Sequence, residues 1–149
     1  MLSLNAACNV ASPLDQGAVQ GYTATDALGG VISEDKDDWR IAEAYRNFFT
    51  VRPAYPNPAP DARVKVRIDF TQPDAVGRLD FYGINTSGNP ILLATGPTPP
   101  LGTQYYDLNL LYLSPALSLE DLRGKLLRIL IYDQRGVLVT YGDIQIPAA

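Results

Sequence analysis

The sequence predicts an all-β fold, an immunoglobulin-like two-sheet sandwich of about six or seven strands behind a long irregular N-terminal segment. Three observations carry this expectation. Short runs rich in β-branched and aromatic residues recur between breaks, in a chain that holds 12 Gly, 12 Pro and 9 Tyr. One run, "ARVKVRIDF", alternates strictly between charged and apolar side chains, the period of a strand with one wet face. The length, 149 residues, is one domain's worth and enough to bury a core. A small barrel is the competing architecture, because wiring is not legible in sequence.

Taken in order, residues 9–37 have no period and many small or polar residues, so residues 1–37 read as a leader and flexible tether. "SEDKDDW" gathers Glu34, Asp35, Asp37 and Asp38. Those four are either oxygen ligands for Ca²⁺ or a solvated linker end, with Asp37 or Asp38 capping a turn of helix. The sandwich is expected over 38–149. Residues 38–52 form a packing segment in which Trp39, Ile41, Tyr45, Phe48 and Phe49 lie over its edge or base.

"VRPAYPNPAP" is stiff and extended, since each proline fixes φ and lacks a donor. In "ARVKVRIDF", Val64, Val66, Ile68 and Phe70 face one way and Arg63, Lys65, Arg67 and Asp69 the other. The basic row is either a docking stripe for an acidic partner or a soluble face that blunts edge pairing. "GRLDFYGIN" and "NPILLATG" are strands joined by a turn at Ser87-Gly88. "TQYYDLNLLYL" is a further strand, and "SLEDLR" is a turn of helix with Ser118 as its N-cap. "KLLRILIYD" is the most apolar strand and therefore central; "DQRG" turns it back with Gly136 at a positive-φ position, and "VLVTYGDIQI" closes the chain.

Composition narrows function. There is no His and one Cys, which excludes Ser-His-Asp triads, Cys-His dyads, the usual zinc sites, haem ligation by His and an internal disulfide. The net charge of −4 repels phosphate backbones, so nucleic acid is not an expected partner. No run approaches a membrane-spanning length. No cofactor or resident metal is expected, and the chain reads as a non-enzyme. The carboxylates left for acid–base work are Asp107, Glu120, Asp133 and Asp143, and an activity needs two of them converging in a cleft.

Two resemblances add to this. Ala6-Ala7-Cys8 resembles a bacterial lipobox, where cleavage precedes a cysteine that then carries a diacylglyceryl group. Asn5 stands where that motif usually has Leu, and no basic or full apolar leader precedes it, so the resemblance implies a truncated signal. Further on, "AYPNPA", "LDFYGINTSGNPI" and "LIYDQRGVLV", within about residues 53–140, resemble immunoglobulin-like modules of secreted Bacteroidetes proteins. These include type IX secretion sorting domains and flagellar hook-capping modules. The final "YGDIQIPAA" departs from the Gly-x-Tyr strand usual there, and no passenger precedes the module.

Together the resemblances imply a lipoprotein of the cell envelope, lipid-anchored at Cys8 on the periplasmic or outer-membrane surface. It would contact another envelope protein or a subunit of a membrane complex. The aromatic residues Trp39, Tyr45, Tyr105 and Tyr106 are the expected contact surface, because aromatic side chains anchor interfaces. The alternative is a carbohydrate-binding sandwich, which requires two or more exposed rings in one plane.

Overall fold

A computed structural model of the chain describes Leu14 and residues 16–149. Cys8 lies outside the described residues. The alternation in "ARVKVRIDF" becomes β4 (Arg63–Phe70), whose apolar side chains are buried and whose polar ones are not. It is flanked by β3 (Phe49–Val51) and β7 (Gly102–Asn109) in a three-stranded antiparallel sheet ordered β3-β4-β7.

The second sheet runs β6-β5-β8-β9, from β5 (Leu79–Ile84), β6 (Pro90–Gly96), β8 (Leu126–Asp133) and β9 (Leu138–Gln145). The expected central strand β8 is internal, held between β5 and β9. A small hairpin, β1 (Ala24–Thr25) with β2 (Val31–Ser33), is the third sheet. The fold is all-β, a sandwich rather than a barrel.

The core lies between the two larger sheets. Val64, Val66, Ile68, Phe70 and Leu108 meet Leu79, Phe81, Ile129, Ile131 and Ile144, all at most 4% exposed. Phe81 stacks on Tyr106 across the gap, with ring centroids 4.7 Å apart. Local signals hold where they were expected. The Ser118 hydroxyl accepts from the Asp121 amide to cap α1 (Leu119–Leu122). Gly136 takes φ +81° in the β8–β9 turn. Past β7, however, "LLYL" is a 3₁₀ turn rather than strand, started by the Asn109 side chain accepting from the Leu111 amide.

The N-terminal segment differs most from expectation. From Gly17 onward the supposed tether is fastened to the sandwich as a strap, so the described part of residues 1–37 is no flexible tether. Arg128 donates to the carbonyls of Gly17 and Ala18, and the Gly17 amide donates to the Tyr141 hydroxyl. Thr25 exchanges backbone bonds with Asn57. Next, the amides of Trp39 and Ala42 donate to the carbonyls of Tyr141 and Val139, so this stretch covers the outer edge of β9. Asp37 and Asp38 cap no helix; the one 3₁₀ turn nearby, Glu43–Tyr45, has no side-chain cap.

Candidate functional site

Two of the four expected surface aromatics are core residues. Trp39 is 7% exposed and adopts φ +61°, a left-handed backbone that turns its ring inward. The ring lies directly over Gly142, where a Cβ would overlap it. Tyr45 is 5% exposed, packs on Phe49, and donates its hydroxyl to Asp133. Burial, together with the Asp133 carboxylate, raises the Tyr45 phenol above its ordinary pKa. Tyr106 is half-buried against Phe81, and desolvation raises its phenol too. Of the four, only Tyr105 is open, at 55% exposure. A flat sugar platform built on Trp39 and Tyr45 is therefore excluded.

The four candidate acids are dispersed. Asp107 pairs with Lys65 on the outer face of the three-stranded sheet. Glu120 pairs with Arg123 on α1. Asp133 is buried in the β8–β9 turn. Burial alone would raise it, but bonds from Tyr45, the Val137 amide and Arg135 outweigh that and hold it below the usual carboxylate range.

Asp143 belongs to a buried polar node that ties the strap to β9. Arg128 grips it with two bonds of 2.8 Å. Desolvation raises the Asp143 carboxyl while Arg128 opposes the rise; the bidentate geometry is that of an ionised pair. Asn57 joins the parts. It donates to the carbonyls of Thr23 and Asp143 and accepts from the Gln145 amide. Asp38 closes the node by accepting from the Thr23 amide, with its second oxygen buried and unbonded. Burial first, and then the Asp143 charge, push its carboxyl up to about 7.

The acidic stretch is thus split: Asp38 goes inside while Glu34 and Asp37 stay exposed. Among the described residues, no group of three or more His, Cys, Asp or Glu is placed to hold a metal ion. Nor is any helix among them long and apolar enough to cross a membrane.

Arg128 and Asn57 were missed in the sequence reading, although each leaves a trace there. Arg128 is a lone charge inside the most apolar strand, opposite Asp143 in the neighbouring one, and a buried charge implies a partner. Asn57, between two prolines, leaves no comparable signal; the peptide bonds before Pro56 and Pro58 are cis.

Concave surface occurs on both outer faces. A broad open hollow of about 570 Å³ on the four-stranded sheet is lined by Arg78, Asp80, Tyr82, Tyr132 and Arg135. Its two tyrosine rings stand edge to face at 86°, so they form no plane for stacking a sugar. Across the molecule, Leu28, Val31, Arg52, Tyr55, Arg67 and Tyr105 surround a smaller hollow between the β1–β2 hairpin and β4. These surfaces offer shape and charge for contact.

No protein-family model matches the chain, and a search of curated proteins gives no match.

Proposed function

We propose that the chain is a non-enzymatic extracytoplasmic lipoprotein, anchored through Cys8 and holding a β-sandwich against another envelope protein or membrane-complex subunit. The observation that carries the reading is Ala6-Ala7-Cys8 in the sequence. The strap supports it further. Gly17 is the first residue bonded to the sandwich among the described ones, through Tyr141 and Arg128. The nine peptide links from Cys8 to Gly17 span at most roughly 32 Å when extended.

An acyl anchor at Cys8 therefore keeps the body close to the bilayer, on a short leash. Acyl chains supply roughly 0.8 kcal/mol per buried CH₂, and two or more chains make attachment lasting. The test is intact-mass measurement of the membrane-fraction protein expressed from its natural start in a lipoprotein-processing bacterium. A product beginning at Cys8 with a diacylglyceryl mass is expected, and Cys8→Ser should move the protein to the soluble fraction. An unmodified cytoplasmic product overturns the reading.

A further inference from the structure

We propose that the outer edge of β7 is a self-association surface, on which a second copy of this chain adds its own β7 as an antiparallel strand. The two larger sheets end in edge strands, β3 and β7 in one, β6 and β9 in the other. Three of these are guarded. The edge of β9 is occupied, because the amides of Trp39 and Ala42 donate to its Tyr141 and Val139 carbonyls. β6 starts on Pro90, which has no amide to offer, and its register with β5 is broken by an irregularity. β3 is three residues long and runs into Pro53. β7 has none of these devices. Its eight residues include no proline, Lys or Arg, and its register on β4 is unbroken.

Alternation shows which backbone groups are free. On β4, Lys65 exchanges both of its backbone bonds with Tyr55, and the Arg67 carbonyl accepts from the Arg52 amide. The alternate residues Val64, Val66 and Ile68 therefore bond β7, at Leu108, Tyr106 and Gln104. That leaves the amides and carbonyls of Thr103, Tyr105 and Asp107 turned outward, and none has a backbone partner among the described residues. All three residues are exposed. A row of N–H and C=O groups at two-residue spacing is matched by another extended backbone.

β7 is itself such a backbone, and it fits its own edge. On a two-fold axis at Tyr105, the Tyr105 of each copy lies opposite that of the other, and Thr103 lies opposite the Asp107 of the second copy. The rings pair, and each carboxylate meets a neutral hydroxyl rather than another charge. Centring the pair on Asp107 would instead set two carboxylates face to face. Centring it on Thr103 would carry Tyr105 past the start of the strand, onto Leu101. The charges nearby are already balanced within each copy, where Lys65 holds Asp107 and Arg67 holds Asp69. Attraction therefore comes from the backbone ladder and the tyrosines, and the two-fold closes the assembly at a dimer.

The inference is independent of the lipoprotein reading, because the edge needs no acyl chain at Cys8. The full chain carrying Cys8→Ser is followed by sedimentation equilibrium over a concentration series, and a monomer–dimer equilibrium is expected. Tyr105→Pro removes an outward amide and no bond between β4 and β7. It should weaken the dimer by about ten-fold or more and leave the unfolding midpoint of the monomer close to that of the parent. In the same Cys8→Ser chain, Tyr105→Cys should give a disulfide-linked dimer on oxidation with copper phenanthroline in air. Opposed Cα atoms of a bonded antiparallel pair stand about 5.5 Å apart, within the span of a disulfide. Glu43→Cys, exposed beside β9, should not cross-link. This second arm decides the matter if proline at position 105 disturbs the fold. A dimer indifferent to Tyr105→Pro, or equal cross-linking at positions 43 and 105, overturns the proposal. So does a monomer at every concentration, which would leave the edge to a strand of another protein.

Discussion

The two outer faces of the sandwich carry the same kind of ion pair in opposite settings. On the four-stranded sheet, Arg128 and Asp143 lie under the strap with their side chains 5% and 2% exposed. On the three-stranded sheet, Lys65 and Asp107 stand in water at 41% and 81%. The first pair depends on every neighbour, because neither charge can turn to solvent if its partner goes. The second can be undone at almost no cost, since water replaces what the partner supplied. A covering segment makes the difference, and the strap is that segment. The strap seals the first pair against the four-stranded sheet, and the second pair has no such cover.

That contrast can be broken at graded points. The largest effect is expected from Arg128→Leu, which leaves Asp143 buried without its partner. It should cost about 3–5 kcal/mol in denaturant unfolding near neutral pH. A loss no greater than that of an exposed pair would show that the strap does not seal the node.

Next comes Asp38. Its folded-state pKa, about 7, is raised above the unfolded value of about 3.9. Its favourable contribution is therefore complete below the unfolded value and disappears as pH rises through about 7. Asp38→Asn should track the wild type at about pH 4 and become more stable than it by about 2–3 kcal/mol toward pH 8. Parallel stability curves across that window would place Asp38 in water.

Gly142→Ala should follow, at about 1–3 kcal/mol in thermal unfolding, because the added methyl needs the space that the Trp39 ring fills. A red-shifted Trp39 emission is expected with it, as the only tryptophan is displaced toward solvent. The smallest effect belongs to the open face. Lys65→Met should cost little stability and leave the midpoint of denaturant unfolding nearly unchanged. A larger loss would mean that this face, too, is structurally committed.

The candidate surface was only partly legible in advance. The basic row of β4 was visible because alternation alone assigns Arg63, Lys65 and Arg67 to one face. Tyr105 and Tyr106 could not be separated from each other without knowing which face of β7 meets the core. The hairpin was hidden altogether: "ATDALGGVIS" is too short and too rich in Gly for its pattern to distinguish it from a linker. Its bridge to Asn57, the Thr25 hydroxyl donating to the Ala54 carbonyl and its packing beside Tyr55 give it a place.

By itself, the sequence determined what depends on neighbours along the chain. Alternation marked β4, turn chemistry marked the hairpin turn at Ser87-Gly88, and an N-cap serine marked α1. In each case the deciding groups lie within a few residues of one another. Tertiary structure alone decided that Trp39 fills the space over Gly142, that the strap lies on β8 and β9, and that Asp38 is buried. Those outcomes rest on partners 15 to 124 residues apart, such as Thr23 with Asp38 and Gly17 with Tyr141. No local pattern encodes such pairings, because the free energy that selects them comes from burying both partners together once the sheets have closed.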